Sequence, residues 1–397
     1  MPSSLHSSTD SRFELFASTA PGLESIAAGE LKSLGVRGRQ EIGGVAFAGD
    51  LDRLYQANLW LRTASRVVAR LGHFHASTFY ELERRTKKLP WEEFLPASGP
   101  VRLRVTCRKS RLYHSDAVAE RVLSAISESA SRAIEASSGD SDDEGEDAAD
   151  AGQLFIVRII HDEVEISADS SGELLHRRGY RQEIAKAPLR ETLAAAMVLA
   201  SGWRSGEPLL DPMCGSGTIP IEAVMLARGI APGAQRKFQF MNWPTFDEAR
   251  WNAILDNARS SATRSSERIS ASDRDAGAIG AARRNAERAG VADTIHFSER
   301  AISDSIADLD DVEKGVGWVL TNPPYGIRIG EGEDLRNLYA RLGAELKTKP
   351  GWRLGALTSD TGLIGQTRLS MVSRFDTRNG GIPVSFMVSE KPGQKRG

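Results

Sequence analysis

Cysteine is nearly absent from this chain: Cys107 and Cys214 are the only two in 397 residues. They lie far apart with no Cys or His at ligand spacing, which excludes a disulfide framework and a thiolate metal site. Long apolar runs are missing too. Nothing approaches the roughly 20 residues needed to cross a bilayer, and the opening MPSSLHSSTDSR has neither a basic n-region nor an apolar h-region. A cytoplasmic protein without membrane or metal partners is expected. Internal repeats are also lacking, and an ordinary hydrophobic content of 40% permits two or three buried cores. A monomer is expected.

An excess charge of one sign is the remaining absence, with a formal net charge of −2. That figure conceals an uneven distribution. Between Glu135 and Asp150 stand eight carboxylates (Glu135, Asp140, Asp142, Asp143, Glu144, Glu146, Asp147, Asp150) and no Lys or Arg; without them the remainder carries +6. The Ser/Gly/Asp/Glu/Ala composition of 136–152 cannot bury a core, so it reads as a disordered acidic insertion inside a domain. A mildly basic remainder suits a surface that meets phosphates.

Periodicity divides the chain. Residues 12–70 read as a small α+β unit: a strand at Phe13-Glu14-Leu15-Phe16-Ala17, a helix carrying Leu23, Ile26, Ala27, Glu30, Leu31 and Leu34, a strand at Gly43-Gly44-Val45-Ala46-Phe47, and a helix capped by Asp50. Residues 71–170 alternate strands (101–105, 154–160, 163–167) around a helix over Ser115–Ile134. His73 and His75 alternate along a further strand without ligand partners and read as structural. After a linker at 171–190, residues 191–390 alternate apolar strands with helices, the pattern of a parallel sheet covered on both faces. Its strands are expected at 208–210, 269–271, 294–297, 318–321, 354–358, 371–375 and 384–388; Asn379-Gly380-Gly381 should join the last two as an antiparallel hairpin.

Two motifs in this last region carry chemistry. Asp211-Pro212-Met213-Cys214-Gly215-Ser216-Gly217-Thr218 ends a strand and opens a helix, where glycines let backbone approach a ligand beyond the strand's carboxyl end. Its spacing is not that of a dinucleotide-phosphate loop. The next strand ends at Ser272-Asp273-Arg274-Asp275, where Asp273 is placed to accept ribose hydroxyls and Asp275 to cap the helix that follows. Downstream, Asn322-Pro323-Pro324-Tyr325 follows an apolar strand. The Asn322 side-chain oxygen and the Pro323 carbonyl can each accept a hydrogen of a planar exocyclic amine, the Pro-Pro pair fixes the turn, and Tyr325 offers a ring for base stacking. A base inside a duplex reaches such a turn only when flipped or unpaired. Between the two motifs, Phe238, Phe240, Trp243 and Trp251 stand either as a wall of the substrate pocket or as packing for an insertion. Arg108, Lys109, Arg111, Arg177, Arg178 and Arg181, clustered near Tyr113, His114 and Tyr180, are candidate phosphate contacts.

The pair of motifs resembles class I S-adenosylmethionine-dependent amino-methyltransferases. Phe13 to Glu24, Lys109 to Ser115, Leu175 to Arg181 and Ala187 to Ala194 narrow this to a similarity with THUMP-containing RNA guanine-N2 methyltransferases, most of all those that modify 23S ribosomal RNA. The resemblance implies an α/β fold: a C-terminal Rossmann-like domain (191–390) with a seven-stranded sheet whose last strand is antiparallel, preceded by a ferredoxin-like domain (12–70) and a THUMP RNA-binding domain (71–170). It further implies S-adenosylmethionine at Asp211, Pro212, Met213, Cys214, Gly215, Ser216, Gly217, Thr218, Asp273, Arg274 and Asn322, and the reacting amine at Asn322, Pro323, Pro324 and Tyr325; by their clustering, the expected RNA contacts are Arg108, Lys109, Arg111, Tyr113, His114, Arg177, Arg178 and Arg181. Ser298-Glu299-Arg300-Ala301 departs from the Asp that relatives usually carry to meet the adenine amine. With one methyltransferase domain where some relatives fuse two, a single modification is expected. The rival expectations are guanine-N2 methylation of transfer RNA, adenine-N6 methylation of DNA, and a non-catalytic RNA-binding ribosome assembly factor.

Overall fold

Two seven-stranded sheets organise the chain, each the centre of its own compact unit. The computed structural model describes residues 12–130, 152–183, 189–263, 268–310, 312, 316–324 and 332–390. The acidic residues 136–151 and Tyr325 lie outside the described residues.

The first unit is built from residues up to 18, 30–175 and 237–256. Its strands are β1 (Phe13–Thr19), β2 (Gly38–Glu41), β3 (Gly44–Gly49), β4 (Ala64–His75), β5 (Val101–Arg108), β6 (Gln153–Ile160) and β7 (Glu163–Asp169), in the order β2-β3-β1-β4-β7-β6-β5. Residues 12–70 and 71–170 therefore share one sheet, joined where Val68 pairs with Asp169. Of the helices, α1 (Glu24–Ser33) leads into this unit, and α2 (Leu51–Trp60), α3 (Phe79–Thr86) and α4 (Ser115–Ser129) follow. Asp50 caps α2, its side chain accepting from the Arg53 amide at 3.0 Å. Polar β2 and short α3 have no counterpart in the sequence expectation, because neither presents a run of apolar periodicity.

The aromatic segment 237–256 belongs to this first unit although it lies in sequence between the two chemical motifs. Phe240 stacks on Tyr55 of α2 with centroids 4.6 Å apart, Trp251 meets the same ring edge-on, and Trp243 packs against Phe94 while its indole N–H donates to Gln153 at 2.7 Å. Of the two sequence readings, packing is the one realised: all four rings are buried, each removing a large apolar area from water.

The second unit comprises 19–29, 176–236 and 257–397. Helices α5 (Glu191–Ser201), α6 (Thr218–Ala227), α7 (Glu248–Ser261, its last turns in this unit), α8 (Ala276–Arg288), α9 (Ile302–Ala307), α10 (Gly332–Lys347) and α11 (Thr361–Gly365) alternate with β8 (Leu209–Asp211), β9 (Ile269–Asp273), β10 (Ile295–Glu299), β11 (Gly317–Thr321), β12 (Trp352–Thr358), β13 (Met371–Asn379) and β14 (Ile382–Ser389). The order is β10-β9-β8-β11-β12-β14-β13, parallel from β10 to β12 with β14 antiparallel to both its neighbours. Alternation explains the layering. Leu209, Trp318 and Leu320 enter one core, with α5, α6 and α8; Leu210 and Val319 enter the other, with α10. Gly380 and Gly381, at φ +55° and +82°, turn the terminal hairpin as their sequence implied. The N-terminal Pro21-Gly22 turn packs here as well: a Cβ on Gly22 (φ +86°) would stand 2.0 Å from the Asp376 carbonyl oxygen, so only glycine fits.

Candidate active site

Four parallel strands bring their carboxyl ends side by side, and that edge carries both chemical motifs. Parallel pairing sets Glu299 beside Asp273, Asp211 beside Ala271 and Val319 beside Leu210, so Asn322 leaves β11 level with the turn that follows Asp211. This is the edge where open α/β sheets bind ligands.

The turn after β8 is held from three directions. Asp211 accepts from the Met213 amide at 3.2 Å; the Cys214 amide donates to the Ser272 carbonyl at 2.9 Å; the Gly215 amide donates to Asp273 at 3.0 Å. Gly215 and Gly217 adopt φ +54° and +84°, and a Cβ on Gly217 would press on Ala282 at 3.0 Å, which keeps α8 close to the start of α6. From α8 the buried Asn285 donates to the Ser216 carbonyl at 3.1 Å. Asn285 occupies the apolar stripe of that helix among Ile279, Ala282 and Ala286. A lone amide on such a stripe is the signal by which the sequence could have disclosed it.

Burial shapes the electrostatics. Desolvation pushes the Asp211 carboxyl up to about 7, and the negative Asp273 adds to the rise, while the Met213 amide and Thr321 oppose it. Burial likewise raises the Cys214 thiol well above its ordinary range, so it stays protonated. Pro212, Ser216 and Thr218 are also buried. Asp273 is only half-buried, with one oxygen on the Gly215 amide and the other accepting from Asp275 N at 3.1 Å. Each oxygen keeps a lone pair for a further donor. Asp275 caps α8 through the Gly277 amide at 2.8 Å, and Arg274 is exposed. Across the site, Pro323 is buried and Pro324 exposed. The Asn322 side-chain oxygen is buried with no hydrogen-bond partner among the described residues. Such an atom costs free energy unless a ligand supplies the donor. At the end of β10 Glu299 is exposed, and Arg300 is ion-paired with Asp308.

These features fit an S-adenosylmethionine nucleoside: positive-φ glycines for close approach, a half-exposed carboxylate for two hydroxyls, and a neutral amide oxygen beside them.

The candidate RNA residues separate into two groups. Arg108, Lys109, Arg111, Tyr113 and His114 form an exposed loop between β5 and α4. Its shape is fixed by Asp162, whose amide donates to Ser110 Oγ at 3.0 Å and whose carboxylate accepts from the Arg111 amide at 2.7 Å. The rings of Tyr113 and His114 lie 4.1 Å apart. Arg178 and Arg181 require correction. Arg178 is 2% exposed, with Nε 3.4 Å from Glu222 on α6, where the Tyr180 hydroxyl also donates at 3.1 Å. Arg181 pairs with the buried Glu191 at 3.0 Å and donates to the Leu189 carbonyl at 2.8 Å. Their charges are spent inside the second unit, on buried carboxylates that would otherwise lack compensation. Arg177 is half-buried, its carbonyl accepting from Arg236 at 2.6 Å. Burial, then the positive field of Arg190, Arg181, Arg178 and Arg177, lowers the adjacent His176 to about 3, keeping it neutral.

Comparison with known proteins places this geometry. Residues 178–385 match the RMKL-like methyltransferase domain, and residues 14–68 the RlmL ferredoxin-like domain. A Synechocystis protein provisionally named an RNA methyltransferase is 35% identical over 382 residues, 94% of this chain and 96% of its own. The ribosomal RNA large subunit methyltransferase K/L of Syntrophotalea carbinolica is 35% identical over 395 residues; that match takes in 96% of this chain and 54% of the longer relative. Among solved structures, the methyltransferase SMU.472 complexed with S-adenosylhomocysteine superposes with a TM-score of 0.84 at 29% identity, over 97% of this chain and 99% of its own. By these matches the chain belongs to the RMKL-like family of S-adenosylmethionine-dependent methyltransferases.

Proposed function

We propose that this protein methylates the N2 amine of a guanosine in RNA, with 23S ribosomal RNA the favoured substrate and transfer RNA the nearest alternative. The observation that carries the proposal is the buried Asn322 oxygen, unpartnered among the described residues, at the end of β11 and level with the turn after β8. A guanine amine is a poor nucleophile because its lone pair is delocalised into the ring. Accepting one amino hydrogen at Asn322 and the other at the Pro323 carbonyl turns that lone pair outward, and alignment supplies most of what the step needs. When bound, S-adenosylmethionine would supply an electrophilic sulfonium methyl; the amine nitrogen would take that methyl as the sulfur–carbon bond breaks, and the proton the nitrogen then sheds would pass to water. No residue has to act as a strong base in that step. Asp211 to Thr218, Asp273 and Arg274 hold the donor; Tyr325 stacks on the base.

The choice of RNA rests on the first unit and on the name of the K/L relative. In this reading residues 12–70 and 71–170, the latter a THUMP domain, bind RNA through the Arg108–His114 loop, 171–190 links, and 191–390 catalyses. The test is transfer of labelled methyl to 23S ribosomal RNA, transfer RNA and DNA in parallel, followed by nucleoside mass spectrometry of the product. N2-methylguanosine from ribosomal RNA is expected. N6-methyladenine from DNA, or no transfer to any of the three, overturns the proposal.

A further inference from the structure

The first unit holds a second basic surface, made of residues not assigned above. A cleft of about 390 Å³ is floored by Phe74 of β4 and lined by Arg84, Arg85 and Lys88 at the end of α3. All three cations are exposed, and Phe74 is buried. The acids nearby are engaged elsewhere. Glu83 pairs with Arg121 at 2.9 Å, Glu128 with Lys87 at 2.5 Å, and Glu81 accepts from the Ser77 amide at 2.8 Å. Among the described residues no carboxylate is paired with Arg84, Arg85 or Lys88, so a concave site keeps three uncompensated positive charges. Arg84 lies over the ring of Tyr80, 5.6 Å from its centroid, and Tyr80 is 71% exposed. Exposed aromatic rings set among cations are what single-stranded nucleic acid uses for stacking and phosphate contact.

The position of the cleft connects it to the exposed loop. Two residues after Phe74, the Ala76 amide donates to the Asp162 carbonyl at 2.9 Å, and Asp162 is the residue whose carboxylate holds the Arg111 amide. The start of α3 and the 108–114 loop thus emerge from one end of one sheet, and the three cations stand one short helix further along, over Phe74 near the end of β4. From this geometry we infer that the cleft of Arg84, Arg85 and Lys88 binds a phosphodiester of the same RNA strand that meets the 108–114 loop, with Tyr80 stacking on an adjacent base. This rests on the RNA reading of the protein and extends it to a second contact.

Binding of a fluorescein-labelled oligouridylate to the full-length protein, followed by anisotropy across a salt series, tests it. For a single strand, each phosphate that a cation no longer neutralises lowers the slope of log K against log salt by about 0.7. Arg84→Ala/Arg85→Ala/Lys88→Ala should therefore flatten the slope by about 2 and weaken binding roughly tenfold or more near 0.1 M salt. The charge-matched Lys32→Ala/Arg37→Ala/Arg204→Ala should leave the slope near wild type, and Arg84→Lys/Arg85→Lys should retain it. S-adenosylmethionine binding, followed by calorimetry, should be equal in all of them. A steep wild-type slope that the triple variant keeps overturns the cleft and leaves the RNA reading standing. So does loss of poly-glutamate binding with RNA binding intact, which would give the cleft to an acidic protein. A wild-type protein with no salt-dependent RNA binding overturns the RNA reading and the cleft together.

Discussion

The Gly215 amide donates to Asp273 Oδ2 across 3.0 Å, tying the donor turn after β8 to the end of β9. A residue expected to anchor a ribose is thus also a strut of the glycine turn. Together with the Cys214 amide on the Ser272 carbonyl, it preorganises the turn before any ligand arrives, which lowers the cost of ordering it on binding.

Removing that carboxylate should therefore act twice. Asp273→Ala is expected to weaken S-adenosylmethionine by about 10- to 100-fold, the range of one or two charge-assisted hydrogen bonds. Isothermal titration calorimetry reads this directly; an alanine variant that binds as tightly as wild type removes Asp273 from the donor site.

Asn322→Ala should separate binding from chemistry. Methyl transfer should fall by about 10²–10³, as when one preorganised hydrogen-bonding group is lost at a reacting centre. RNA affinity should remain within about twofold of wild type. Full activity in that variant would sink the amine-holding role.

Asp211 makes a pH prediction. Its carboxyl is raised from 3.8 to about 7 in the folded protein, so the native state holds that proton more tightly than the unfolded chain. The contribution is complete below the unfolded value and is lost as pH rises through about 7. Asp211→Asn cannot ionise, so its melting temperature relative to wild type should climb between pH 4 and pH 7 and level off above. The difference should grow by on the order of 1.4 kcal/mol for each pH unit crossed in that window. A difference that stays flat across it would show that Asp211 is ionised throughout.

Arg178 and Arg111 should respond to removal in opposite ways. Arg178→Ala takes the guanidinium away from the buried Glu222 and should cost about 3–5 kcal/mol of stability, with the salt slope of RNA binding unchanged. Arg111→Ala should do the reverse, flattening the slope by about 0.7 at wild-type melting temperature. If Arg178→Ala flattened the slope without loss of stability, its assignment to the interior would be wrong.

Much of the second sheet was legible in the sequence because β8, β11 and β12 are nearly continuous buried runs, and β8 and β9 end in aspartate. The same logic identified Asp275 as the cap of α8, since an Asp immediately before a helix has its acceptor at the free amides. Arg178 was not legible. Nothing local distinguishes a guanidinium that will meet Glu222, 44 residues on, from one that will meet solvent. The destination of Phe240 and Trp251 was hidden for the same reason, because Tyr55 lies in α2, far back in the chain. Asn285 could have been found, as an amide on an apolar stripe, but its partner is a backbone carbonyl and leaves no trace in sequence.

The return of 237–256 to the first unit means that the two units are not separable at a single cut. A fragment beginning at the linker would keep Phe238, Phe240, Trp243 and Trp251 and lose Tyr55, Phe94 and Gln153, leaving large rings bare to water. Such a fragment should aggregate, whereas one that also replaces 237–256 by a short polar turn should stay dispersed. In this chain modularity is a property of two interleaved threads, and any exchange of the catalytic half between proteins has to carry that aromatic loop's socket with it.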